Sequence, residues 1–189
     1  MLNLHIIVAS VRPGRGGLSV AQWFQGVAEQ DKRFSVTLVD LAEVGLPLLD
    51  EPNHPRLRKY QHDHTKRWSK LVDAADAFVF VTPEYNYSFP ASLKNAIDYL
   101  HAEWVDKPVG FVSYGGVSGG LRCVQHLKNV TGALSMTALN EAVVIPFYAQ
   151  QRDEDGVFAP NQIQVDAAGQ LLNGLDRMGN ALRRLRDGK

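Results

Sequence analysis

Five apolar runs of strand length recur along the chain, and they limit its fold more than any other feature. They are "LNLHIIVAS" (2–10), "FSVTLVD" (34–40), "AFVFVT" (77–82), "PVGFVSY" (108–114) and "EAVVIPF" (141–147). Four of them contain three or more consecutive apolar residues, and only "FSVTLVD" alternates. A strand that is apolar on both faces must be covered on both faces, as strands of a parallel sheet are. The covering segments lie between the runs. Leu18, Ala21, Trp23, Phe24, Val27 and Ala28 follow helical spacing over 18–30, and further helices are expected over 56–75, 90–102, 119–132 and 161–187. The basic end of the last one suits the negative end of a helix dipole.

Strands alternating with helices predict a doubly wound α/β fold. Five strands favour the flavodoxin-like order 2-1-3-4-5, with helices on both faces, over a six-stranded dinucleotide fold. The 189 residues contain no repeat, low-complexity segment or linker, so a single domain over 1–189 is expected. Lys plus Arg and Asp plus Glu are 20 each, a balance that gives no reason to expect nucleic acid or an anionic membrane as partner. It also argues against a strongly acidic electron carrier. The single cysteine, Cys123, excludes an intrachain disulfide and fits a reducing compartment. No apolar stretch is long enough to span a bilayer, and the N-terminus has no basic leader. A cytoplasmic location is expected.

In sheets of this kind ligands bind beyond the carboxyl ends of the strands, where the strand order switches. Three loops there carry unusual residues. The first, "ASVRPGRGGLS" (9–19), offers Gly14, Gly16 and Gly17 for tight turns, Ser10 and Ser19 as hydroxyls, and Arg12 and Arg15 as cations ahead of a helix N-terminus. It is either a phosphate cradle or a glycine-rich surface turn, and it matches neither a Walker A loop nor GxGxxG. The second, "PEYNYSFP" (83–90), sets Tyr85, Tyr87 and Phe89 among prolines. It is either a wall for a planar ligand or a staple that pins the next helix. The third, "SYGGVSGG" (113–120), has four glycines, more than a strand-to-helix turn needs. Together they suggest a composite site with a phosphate at one end and a flat, polar-edged ring at the other, the shape of FMN.

These residues resemble the NADPH-dependent FMN reductase family of flavodoxin-like proteins, which includes quinone, chromate and azo-dye reductases. The family pattern GSxRxxS appears as "ASVRPGR", PEYNxSxPxxLKNAIDW as "PEYNYSFPASLKNAIDYL", and KPVxxVSxGGxxGG as "KPVGFVSYGGVSGG". The resemblance covers most of residues 5–130. It implies that Ser10 and Arg12 contact the FMN phosphate, with Gly17 in the same loop. Arg15 departs from the small residue usual in the family and would add a charged contact there. Pro83, Glu84, Tyr85 and Asn86 would line the isoalloxazine, largely through backbone atoms. Ser113, Tyr114, Gly115 and Gly116 would border its other edge, and Tyr85 and Tyr87 would wall an acceptor pocket.

The resemblance further implies a ping-pong reaction in which NADPH or NADH reduces FMN and a small-molecule acceptor then takes the electrons. The cofactor carries that chemistry, so no general acid or base and no metal site is assigned. His54, His62, His64, His101 and His126 read as surface or packing residues, and Cys123 as packing. A non-catalytic flavodoxin-like electron carrier and a flavin-free interaction protein are the alternatives. The resemblance also implies a homodimer or dimer of dimers, with "SLKNAIDYLHAEW" as a contact surface and Trp104 as a candidate anchor.

Overall fold

A computed structural model describes residues 1–188. Its strands are β1 (Leu2–Val8), β2 (Phe34–Asp40), β3 (Ala77–Pro83), β4 (Pro108–Tyr114) and β5 (Thr137–Ile145). Its helices are α1 (Gly17–Glu29), α2 (Leu41–Val44), α3 (Asp63–Asp73), α4 (Ala91–Asp98), α5 (Leu121–Ala133) and α6 (Gln162–Arg186). The strands form one all-parallel sheet in the order β2-β1-β3-β4-β5, as the run pattern predicts. Every residue of β3 and β4 is buried, which is why both read as unbroken apolar runs.

Alternate side chains of the strands feed two cores. Leu4, Ile6, Val79, Val81 and Val112 meet Phe24 of α1 and Leu171 and Leu175 of α6 on one face. Ile7, Phe78, Phe80 and Phe111 meet Trp68 of α3, Ile97 of α4 and Leu127 of α5 on the other. Gly110 admits α6 closely, because a Cβ there would lie 2.5 Å from Leu171 Cδ1.

Several boundaries differ from the sequence reading, and the helix expected over 90–102 is α4, which ends at Asp98. The helix expected over 56–75 is a 3-10 turn at Pro55–Leu57, then Arg58 at φ 51°, then α3 from Asp63. The left-handed residue ends the first turn, and α3 starts afresh after an extended N-cap, His62. β5 begins at Thr137, four residues earlier than expected. It is an edge strand whose half-exposed "TALN" start carries no apolar run, and it ends before Pro146, which has no N–H to give a ladder.

Trp104 is not an available interface anchor. It is fully buried, packs at a tilt against Phe78 at 5.0 Å between centroids, and donates its Nε1–H to the Ile97 carbonyl at 3.1 Å. Tyr99 and Leu100 are likewise buried within the chain. Trp104→Ala is therefore expected to lower the free energy of unfolding by about 3–5 kcal/mol, measured by urea denaturation. A loss within 0.5 kcal/mol would contradict this core assignment.

Candidate functional site

The loop from Ala9 to Gly16 leaves β1 beside the point where the strand order reverses, since β1 pairs with β2 on one side and β3 on the other. It enters α1 at Gly16, and no side chain among the described residues caps the first turn of that helix. An uncapped helix start keeps its N–H groups and its positive dipole end available to an anion. Ser10 is fully buried beneath this turn and accepts a hydrogen bond from Tyr114 Oη at 3.2 Å. Gly17 makes the close approach possible, because a Cβ there would lie 2.4 Å from both Ser10 Oγ and Tyr114 Oη.

The two arginines of this loop differ. Arg12 is exposed, and among the described residues its side chain bonds only the neighbouring Pro13 carbonyl, at 3.4 Å. Arg15 is ion-paired with Asp40 at the end of β2, and the same carboxylate caps α2 through Ala42 N. Arg15 thus ties the loop to the sheet edge, while its buried Nε has no protein acceptor among the described residues. Ser19 is taken up elsewhere: its hydroxyl accepts from Phe158 N at 2.7 Å and anchors the segment that follows β5.

After β3 the chain makes a two-residue hairpin turn. Tyr85 and Ser88 exchange backbone hydrogen bonds of 2.8 and 2.9 Å across Asn86 and Tyr87. Both central residues have positive φ, 49° and 70°, the geometry of a type I′ turn. Asn tolerates this region, whereas a tyrosine there costs about 1–2 kcal/mol. Phe89 packs into the α3–α5 core and Pro90 is buried at the start of α4, so the stretch is both a turn and a staple.

Glu84, at the foot of the turn, lines the sheet-edge cleft and turns its carboxylate to Ser118 and the first turn of α5. It accepts from Ser118 Oγ at 2.8 Å, from Arg122 N at 3.2 Å and from the Arg122 guanidinium. Burial pushes this carboxyl up, but the bonds from Arg122 and Ser118 together outweigh it and hold it below the ordinary glutamate value. The clamp therefore contributes stability that is complete above the ordinary range and is lost as pH falls through the lowered folded value.

The third loop brings Gly115 and Gly116 alongside. Glu84 N donates to the Tyr114 carbonyl at 3.1 Å, and Gly115 N to the Ile145 carbonyl at 3.2 Å. Ser113 does not face the opening: it is buried, and its hydroxyl donates to the Gly119 carbonyl at 2.8 Å.

A cleft of about 340 Å³ lies between these loops. Pro83, Glu84 and Tyr85 form one side and Tyr114, Gly115 and Gly116 the other. A fourth loop, absent from the sequence reading, closes the end with Phe147, Tyr148 and Gln150. Tyr148 donates its hydroxyl to the Gly16 carbonyl at 3.2 Å and lies 5.1 Å from the Tyr114 ring, so the cleft is continuous with the α1 turn. An aromatic pair directly after an apolar strand, "IPFY", was the available signal.

His54, His62 and His64, between β2 and the first turn of α3, are not among the residues lining the cleft. The His62 and His64 rings stack at 5.2 Å, and His64 contacts Asp50 at 3.0 Å. Cys123 is buried against Thr82, and burial pushes its thiol up to about 12, far from a nucleophile's range.

The family model described as NADPH-dependent FMN reductase matches residues 2–150. The chain belongs to this family. It is an FMN-dependent NAD(P)H oxidoreductase. It is 40% identical over 162 residues to an NAD(P)H-dependent FMN reductase of Schizosaccharomyces pombe, covering 84% of this chain and 79% of the relative. It is 37% identical over 157 residues to an NAD(P)H-dependent FMN reductase of Saccharomyces cerevisiae, covering 77% and 82%. Among solved structures it is similar in fold to the flavoenzyme NAD(P)H:acceptor oxidoreductase FerB from Paracoccus denitrificans. That match has a TM-score of 0.70 and 22% identity, over 97% of this chain and 98% of FerB.

The residues present fit FMN. The glycine-lined, uncapped α1 turn suits a phosphate, and the cleft that adjoins it offers backbone edges between aromatic walls. Gly17→Ala is expected to push Ser10 and Tyr114 apart and weaken FMN affinity at least tenfold, read by quenching of flavin fluorescence. Wild-type affinity in that variant would show that the turn does not hold the phosphate.

Proposed function

We propose that this oxidoreductase binds FMN across the α1 turn and the adjoining cleft and delivers electrons to a small, flat acceptor of the quinone type. The observation that carries the reading is the Tyr114 Oη–Ser10 Oγ bond of 3.2 Å, which joins the floor of the cleft to the phosphate turn. Ser10, Arg12 and Gly17 hold the phosphate, and Arg15 shapes the loop through Asp40 and adds its unpartnered Nε–H. The backbone of Pro83–Asn86 takes one edge of the ring. Gly115 and Gly116 take the other, with Tyr114 beneath and Ser113 behind as a support.

When bound, FMN supplies the chemistry, taking two electrons and hydrogen from NAD(P)H and passing them on. The chain binds and orients. Tyr85 and Phe147 provide flat walls above the cleft, and Tyr87 is exposed on the same turn as Tyr85. A planar acceptor stacks on such walls with little specific hydrogen bonding, which favours quinones over compact metal oxyanions, while free flavins and azo compounds share the flat shape. No side chain of the cleft is assigned a proton-transfer role.

The chain acts as one domain and, we propose, as a homodimer or dimer of dimers in the cytoplasm. Exposed Tyr87, Val117, Leu121 and Phe147 near the cleft support the association, and the lone cysteine supports the compartment. No helix among the described residues is long and apolar enough to cross a membrane.

Anaerobic mixing of the FMN-loaded protein with NADPH or NADH is expected to bleach the flavin, and a quinone is expected to restore the colour. Absence of bleaching with either nucleotide would replace the reading with an electron carrier. Tyr85→Ala is expected to raise KM for the quinone about tenfold while changing kcat less than threefold, measured by steady-state kinetics. An unchanged KM would remove Tyr85 from the acceptor wall.

A further inference from the structure

One charged cluster beside the cleft has no part in the roles above. Arg122, in the first turn of α5, donates its Nε–H to Glu84 Oε1 at 2.5 Å and its Nη2–H to Ser118 Oγ at 3.0 Å. The same guanidinium sits over Tyr87, with its central carbon 3.7 Å from the ring centroid. One side chain thus grips the carboxylate at the foot of the type I′ turn and the ring of the residue held at φ 70° at its tip. The Glu84 side chain is only 6% exposed, and Glu84 lines the cleft. A carboxylate so placed, without its partner, would set an unscreened negative charge at the wall of the site.

We propose that Arg122 is a positioning residue for the flavin site. It holds the strained turn whose backbone borders the ring, and it neutralises Glu84, so that bound flavin meets a neutral wall. The inference rests on the reading of the cleft as the flavin site. Its chemical content is specific. Reduction adds negative charge to the flavin, and a neutral wall opposes that charge less than a bare carboxylate does. A lysine can supply the charge but not the fork or the flat face that stacks on Tyr87. Charge and turn geometry are therefore separable by substitution.

The test uses FMN affinity, read by fluorescence quenching, and the midpoint potential of the bound flavin, read by equilibration with dyes. Arg122→Gln is expected to weaken FMN binding about tenfold and to make the potential more negative. A tenfold change in the reduction equilibrium corresponds to about 30 mV for a two-electron couple. Arg122→Lys is expected to return the potential to that of the unaltered protein while leaving affinity reduced. Glu84→Gln, which leaves the arginine unopposed, is expected to move the potential the other way.

An unchanged potential in all three variants overturns the proposal, as does an Arg122→Gln shift that lysine does not reverse. Should Arg122→Gln fail to fold, Glu84→Gln decides: a more positive potential supports the proposal and an unchanged one overturns it. If the unaltered protein bound no FMN, the reading of the cleft itself would fall, a result distinct from normal binding with an indifferent Arg122.

Discussion

Burial of the central strands on both faces is the constraint from which the rest of the molecule follows. β3 and β4 expose no residue, so helices must cover the sheet above and below. Parallel strands joined by such helices return by right-handed crossovers. The order β2-β1-β3-β4-β5 then sends the chain outward in opposite directions from β1 and β3. A crevice opens at the carboxyl edge of that divergence without any residue being assigned to make it. The functional residues only line a space that topology has already created.

Lining it demands close approach, and the same few atoms serve several loops. Tyr114 ends β4, closes one side of the cleft, and reaches Ser10 under the α1 turn. Tyr148, from the far side of β5, reaches the Gly16 carbonyl. Gly16 and Gly17 give up their side chains to these two hydroxyls, since a Cβ at either would lie within 2.5 Å of one of them. The glycines of the first loop are thus explained by tyrosines that arrive from more than ninety residues away.

That separation marks how far the sequence could be read. Unbroken apolar runs disclosed the strands, and helical spacing disclosed α1, α5 and α6, because both signals are local. The breaks at Arg58 and Thr137 were hidden, since one needs a backbone angle and the other lies in a half-exposed edge strand. At the site, the three glycine- and proline-rich loops were legible from their punctuation, whereas the contribution of Phe147 and Tyr148 was not. Trp104 looked like an anchor because a tryptophan beyond a helix resembles a surface feature in sequence. Its burial depends on Phe78, Phe80 and Trp68, which only the folded sheet brings to it.

The turn at 85–88 shows how such distant partners convert strain into precision. A tyrosine at φ 70° would relax to another backbone conformation unless its surroundings over-determine it. Here the Tyr85–Ser88 bridge fixes the turn from within, and the Arg122 guanidinium fixes the ring from outside. Arg122 can do so only because Glu84 orients it, and Glu84 can be buried only because Arg122 and Ser118 satisfy its oxygens. Removing Arg122 would leave a buried carboxylate charge as well as a loose turn. On the proposed reading, in which this backbone edge meets a flat ring, that degree of constraint is what hydrogen bonding needs, because a hydrogen bond weakens steeply with small errors in angle.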